Sequence, residues 1–150
     1  MRERIILLIE DNPNDEALAL RALKKNGVAD RVIVVRDGRE ALDYLYREGV
    51  HSDRRDSEVP CVVFLDLNLP KMGGLEVLRA VRADDRTRLL PIVVLTSSSE
   101  ERDILSAYRL GANSYVVKPV DFTRFSDTLA HVAGYWLLQN KYPPADAAER

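Results

Sequence analysis

One cysteine, Cys61, among 150 residues excludes an intrachain disulfide, and its place at the head of an apolar run suits a small buried hydrophobe better than a nucleophile. The two histidines, His51 and His131, stand isolated, which argues against a metal-ligand or phosphohistidine role for either. Charge of one sign is not in excess. The 22 basic and 24 acidic residues are spread along the chain, and a net charge of -2 leaves no basic stripe for nucleic acid. No apolar run approaches the ~20 residues that span a bilayer, and no charged leader precedes an apolar signal core. The expectation is therefore a soluble cytoplasmic protein without membrane contact. No internal repeat or low-complexity tract interrupts the chain, and no glycine-rich, phosphate-cradling loop follows the first apolar run. A chain of this length fits a single domain and buries about two-thirds of its unfolded surface, so no disulfide or metal staple is required.

What is present is a set of short apolar runs without alternation, the pattern of strands covered on both faces in a parallel sheet. Ile5-Ile6-Leu7-Leu8-Ile9 ends at Glu10-Asp11, Val62-Val63-Phe64-Leu65 at Asp66, Ile92-Val93-Val94-Leu95 at Thr96, and Tyr115-Val116-Val117 at Lys118. Residues 32–35 read as one further strand. Helical stretches separate them. The first follows Pro13 over residues 14–26, with an inner stripe of Ala17, Leu20 and Leu23 and a stop at Gly27. After a turn at Asp37-Gly38, a second runs to about residue 48 on the face of Ala41, Leu42 and Leu45. Residues 51–58 form a polar loop. A third helix covers about residues 74–82, with Leu75, Leu78 and Val81 inward and Arg79 and Arg82 outward. A fourth starts at Ser97-Ser98-Ser99-Glu100 and reaches about Leu110, and a last one begins near Asp121 or Thr123. Alternating strands and helices of this kind build an α/β sandwich with right-handed crossovers.

In an open α/β sheet the ligand crevice lies beyond the carboxyl ends of the strands. Glu10, Asp11, Asp66, Thr96 and Lys118 all fall there. Three crowded carboxylates raise one another's pKa unless a cation relieves them, and oxygen donors without histidine or thiolate favour Mg²⁺ or Mn²⁺ over zinc. Asp66 is the nucleophile candidate, able to attack a metal-held phosphoryl group and form an acyl phosphate. Thr96 and Lys118 supply a hydroxyl and a point charge for phosphate oxygens. Taken one at a time, such acids would read as helix caps or solvated turns; the set reads as a phosphoryl-accepting site.

Glu10-Asp11, Asp66 followed by Leu67-Asn68-Leu69-Pro70-Lys71-Met72-Gly73-Gly74, Thr96-Ser97 and Lys118-Pro119 together resemble the receiver domain of two-component response regulators, over about residues 4–133. The resemblance implies a flavodoxin-like (βα)5 three-layer sandwich, its five-stranded parallel sheet in order 2-1-3-4-5, in a single domain over 1–150 with an extended end at 134–150. It implies Asp66 as phosphoacceptor for a sensor histidine kinase, Glu10 and Asp11 as Mg²⁺ carboxylates beside Asp66, and Asn68 as a backbone-carbonyl ligand. Thr96 and Lys118 become phosphate contacts, Tyr115 the switch aromatic that moves with Thr96, and Asn68 and Ser98 influences on hydrolysis. The Lys118–Pro119 bond is expected to be cis, since X-Pro is where that isomer costs least.

Too few residues follow Tyr142 for an output domain, so output through protein contact is the expectation. Tyr135-Trp136, the polar loop before Cys61 and Pro143-Pro144 resemble response regulators paired with bacterial phytochromes. The apolar last helix, with Phe122, Phe125 and Trp136 as its surface, predicts a homodimer through the fourth and fifth helices and fifth strand. Asp15, Leu18 and Ala22 on the first helix are the expected kinase-docking residues. Of the competing readings, a haloacid-dehalogenase-like phosphohydrolase lacks its Asp-x-Asp, having Asn68, and a flavodoxin-like cofactor binder lacks its loop. A phosphorylation-independent scaffold would not need the complete residue set.

Overall fold

A computed structural model of the chain describes residues 3–27 and 29–143. The apolar runs form strands β1 (Ile5–Ile9), β2 (Arg31–Val35), β3 (Val62–Leu65), β4 (Ile92–Thr96) and β5 (Ser114–Val117). They pair in parallel in the order β2-β1-β3-β4-β5, as the resemblance implies. The three central strands are buried along their whole length, which explains their lack of alternation. Each residue alternates sides instead. Leu7 and Ile9 enter one core with α2 (Gly38–Tyr46), α3 (Gly74–Ala83) and α4 (Glu101–Arg109). Ile6 and Leu8 enter a second core with α1 (Pro13–Asn26) and α5 (Phe122–Gly134). The result is a three-layer sandwich. Each fully buried side chain such as Phe64 or Ile5 contributes about 1.5–3 kcal/mol over exposure.

Local chemistry sets the helix starts. Asn12 caps α1, its side chain accepting from the backbone N–H groups of Asn14 and Asp15 at 2.9 and 3.1 Å ahead of Pro13 at the first helical position. Gly27, at φ 66°, closes that helix. Asp37-Gly38 is a cap rather than the expected turn: Asp37 accepts from Glu40 N–H at 2.7 Å, and Gly38 is the first helical residue. The second helix stops at Tyr46 because Arg47 takes the left-handed conformation, φ 57°.

Four expectations of side-chain direction are overturned. On α1 the buried residues are Ala19, Ala22 and Leu23, while Ala17 is exposed, so Ala22 is core and is unavailable for docking. Leu18 is half-buried against the same core, leaving only part of it for a partner. On α5, Phe125 is buried with Leu129 and Ala133, so it belongs to the packing of α5 on the sheet rather than to a dimer surface. Arg82 does not point outward. It spans from α3 to the loops before β4 and β5, donating to the carbonyls of Gly111 (2.9 Å), Arg88 (3.0 Å) and Leu90 (2.7 Å) and to Asn113 Oδ1 (2.8 Å).

The α5 helix continues as a π-turn at Tyr135–Gln139, with Trp136 half-buried and its carbonyl taking a hydrogen bond from Tyr142 Oη at 2.6 Å. Of the expected tail, Pro144 lies outside the described residues. Among the described residues no helix is long and apolar enough to cross a membrane.

Candidate functional site

Sheet register assembles the site. Ile9 pairs with Leu65, so the next residues, Glu10 and Asp66, emerge side by side from the two central strands. Asp66 N–H donates to Ile9 O at 3.1 Å and Glu10 N–H to Val35 O at 3.0 Å, which fixes both backbones. Thr96 ends β4 opposite Val117, and Lys118 follows, its N–H donating to Thr96 O at 2.8 Å. The loop after Asp66 turns back tightly enough that only glycine fits at position 74, where a Cβ would lie 2.3 Å from Asp66 O.

Asp66 is 7 % exposed and engaged on both oxygens. Its Oδ1 accepts from Thr96 Oγ1 and Asn68 N–H, each at 3.1 Å, and its Oδ2 accepts from Lys118 Nζ, also at 3.1 Å. Thr96 is fully buried. The ammonium of Lys118 also donates to Glu10 Oε2 at 2.5 Å and to Asp15 Oδ2 at 3.0 Å, so its three protons meet three carboxylates. Burial opposes that charge, but the hydrogen bond to Glu10 and the negative charge of Asp66 outweigh it and raise the Lys118 pKa above the ordinary lysine value. Glu10 is pushed up to about 7, first by burial and then by Asp66, against the downward pull of the Lys118 hydrogen bond.

Glu10, Asp11 and Asp66 each bring a carboxylate oxygen into one group spanning no more than 4.8 Å. Two of these acids are buried and Asp11 is exposed. All-oxygen donors with one open side match a hard cation that keeps some of its water. The structure thus brings together Glu10, Asp11, Asp66, Thr96 and Lys118, five strand-end residues that the sequence picks out. It also adds one that the sequence assigns elsewhere: Asp15, expected at a docking surface, reaches the ammonium of Lys118.

The neighbours divide. Asn68 is at hand through its backbone, while its side chain is exposed. Ser98 directs its hydroxyl to Asp103 Oδ2 at 2.6 Å, on α4. Tyr115 is half-buried and donates its hydroxyl to Ser98 O at 3.0 Å, tying β5 to the loop after β4. The Lys118–Pro119 peptide is trans, contrary to expectation. The trans form is the lower in energy for X-Pro by about 0.5–1 kcal/mol, and from it Lys118 already reaches all three carboxylates. Phe122 lies under the guanidinium of Arg21, 4.9 Å from ring centroid to Cζ, and is half-buried.

Parallel strands in this order, with acids beyond β1 and β3, a hydroxyl on the last residue of β4 and a lysine beyond β5, define a phosphoryl-accepting α/β domain. The chain belongs to the response regulator receiver domain family, whose pattern matches residues 6–130. It is 41% identical over 139 residues to the probable methanogenesis regulatory protein FilR2 of Methanothrix harundinacea, covering 93% of this chain and 87% of that one. It is 32% identical over 142 residues to the response regulator Rcp1 of Synechocystis, covering 95% of each. Among solved structures, the phosphorylated cyanobacterial phytochrome response regulator RcpA matches with a TM-score of 0.87 at 35% identity, over 95% of this chain and 99% of that one. The Mn²⁺-bound form of Rcp1 gives 0.86 at 31%, over 94% and 99%, and the bacteriophytochrome response regulator RtBRR 0.76 at 47%, over 99% and 90%. Receivers of this family take a phosphoryl group from a histidine kinase, and a divalent ion, Mg²⁺ or Mn²⁺, is the cofactor that the acidic group here fits.

Proposed function

We propose that Asp66 is the phosphoacceptor of this receiver and that its donor is the phosphohistidine of a bacterial phytochrome-type sensor kinase. The observation that carries the first half is the placement of a buried Asp66 between Thr96 Oγ1 and Lys118 Nζ with Glu10 and Asp11 alongside. The second half draws on the likeness to RcpA, Rcp1 and RtBRR along almost the whole chain.

In the transfer, one Asp66 carboxylate oxygen attacks phosphorus, a new O–P bond forms, and the N–P bond of the phosphohistidine breaks with its electron pair returning to the imidazole. Glu10, Asp11, Asp66 and the Asn68 carbonyl would hold a divalent ion, which would supply neutralising charge for the phosphoryl oxygens and the carboxylates. Lys118 offers its ammonium to one phosphoryl oxygen, and Thr96 turns its hydroxyl from Asp66 to another. That turn empties volume beside β4. Tyr115 then gives up Ser98 O and moves inward, and the surface of α4 and β5 changes. Hydrolysis reverses the state: water attacks phosphorus, the acyl O–P bond breaks, and Asp66 regains its carboxylate. The chain acts stoichiometrically, as a switch rather than a turnover enzyme, in a single domain over 1–150. Ser98, held on Asp103, tunes water entry through the loop that Tyr115 also grips.

The same reading includes a homodimer. Leu105 and Tyr108 on α4 and Val117 and Val120 around the end of β5 are exposed, as are Tyr135 and Leu138 beyond α5. Phe122 and Trp136, half-buried, contribute their edges. Radiolabel transfer from an autophosphorylated bacteriophytochrome kinase tests the assignment: label on the wild type and none on Asp66→Asn is expected. Label retained by Asp66→Asn would refute it.

A further inference from the structure

The described residues offer one ion pair inside the site that the phosphoryl-transfer chemistry leaves unused, the pairing of Lys118 with Asp15. Lys118 is 8% exposed on its side chain, and its ammonium has three N–H donors and three carboxylate acceptors. Two of those acceptors, Glu10 and Asp66, belong to the metal-binding group; Asp15 does not. It comes from the first turn of α1, where the Asn12 side chain accepts its backbone N–H at 3.1 Å and so fixes the turn that carries it. Asp15 is 37% exposed on its side chain and makes no other ion pair among the described residues. A carboxylate placed there holds the ammonium on the α1 side of the crevice.

Resting on the receiver reading above, we infer that Asp15 is a positioning residue that competes with the phosphoryl group for the Lys118 ammonium and so weakens the phosphorylated state. The physical reason is simple. With Asp66 carrying the phosphoryl group and Glu10 turned to a cation, Asp15 is the carboxylate left to hold the ammonium back from a phosphoryl oxygen, and its charge-assisted hydrogen bond is among the stronger interactions it can set against that contact. Asp15 is part-exposed, so solvent screening reduces the effect to a modest one. Removing its charge leaves Lys118 free to commit to the phosphoryl oxygens. Because Asp15 sits on α1, anything that shifts the first turn of that helix also shifts the competition.

The test uses beryllofluoride, a phosphoryl mimic, with saturating Mg²⁺ on the full chain, for wild type, Asp15→Asn and Asp15→Ala. Titration calorimetry is expected to show both variants binding it about three- to tenfold more tightly, the screened worth of one charged hydrogen bond. The ¹⁵N signal of the Lys118 ammonium in the mimic-free protein should shift in both variants, as loss of a direct contact requires, while the tightening itself separates the roles, since a merely structural ion pair would on removal leave the affinity unchanged or lower it. Affinity unchanged or weakened in the two variants, or an unmoved ammonium signal, overturns the inference. A wild type that binds no beryllofluoride overturns the receiver reading itself, a separate result.

Discussion

Glu10 makes the site's stability depend on both pH and metal. Its carboxyl is raised from 4.5 to about 7 by burial and by Asp66, so the folded protein holds the proton more tightly than the unfolded chain does. For a raised carboxylate the sign runs one way. Below about 4.5 both states are protonated; as pH climbs to 7 the unfolded state ionises first, and folding loses free energy throughout that window. A rise of this size corresponds to about 3 kcal/mol, which for a domain of this length is on the order of 6–12 °C in Tm. A divalent cation removes the cause, since it favours the ionised carboxylate. Thermal unfolding between about pH 5.5 and 8, with EDTA and with millimolar Mg²⁺, reads both effects. In EDTA the wild type should lose more Tm with rising pH than Glu10→Gln, which carries no titrating proton there. The Mg²⁺-induced gain in wild-type Tm should be small at the acid end and grow through pH 7. Identical pH slopes for wild type and Glu10→Gln, or an Mg²⁺ gain independent of pH, would refute the reasoning.

Gly74→Ala places a Cβ 2.3 Å from Asp66 O and 2.7 Å from Leu67 Cα; urea unfolding should show a loss of about 1–3 kcal/mol, and phosphoryl acceptance should fall with it. Arg82→Ala takes a donor from four acceptors, of which Asn113 Oδ1 keeps the Ile92 N–H, and is expected to cost about 2–4 kcal/mol by the same measurement, with Arg82→Lys recovering only part because a single ammonium does not span them. Thr96→Val keeps the volume at a fully buried position but removes the hydroxyl from Asp66. Its stability should change by no more than about 1–2 kcal/mol, while Tyr115 keeps its Ser98 contact in a beryllofluoride-bound crystal structure; a Tyr115 that still moves inward there would break the proposed coupling.

The strand ends were legible because they depend on two things a sequence displays openly, apolar runs without alternation and the residue that follows each run. The register that sets Glu10 beside Asp66 is a consequence of parallel pairing between two such runs. Side-chain direction on the helices was less legible. On α1 the inner face starts at Asp15 and continues through Ala19, Ala22 and Leu23; a search for apolar spacing passes over a carboxylate and begins instead at Ala17, which is exposed. The signal available was Asp15 itself, in the first turn after a capped Asn12-Pro13. On α5 the apolar stripe looked too rich for one face, yet Phe125, Leu129, Ala133 and Leu137 are consumed by the sheet and α1. Arg82 could not be read, because its acceptors are mostly backbone carbonyls and carry no residue-type signature. The trans Lys118–Pro119 bond belongs to the same class, since the isomer at an X-Pro bond is set by surroundings rather than by the dipeptide.

The central claim, that Asp66 carries the phosphoryl group with the help of a divalent ion, is tested most directly by intact mass after incubation with acetyl phosphate. Wild type and Asp66→Ala are compared with and without Mg²⁺. One labile phosphoryl adduct on the wild type, absent without Mg²⁺ and absent from Asp66→Ala, is the predicted result. No adduct on the wild type, or an adduct that survives Asp66→Ala, would contradict it.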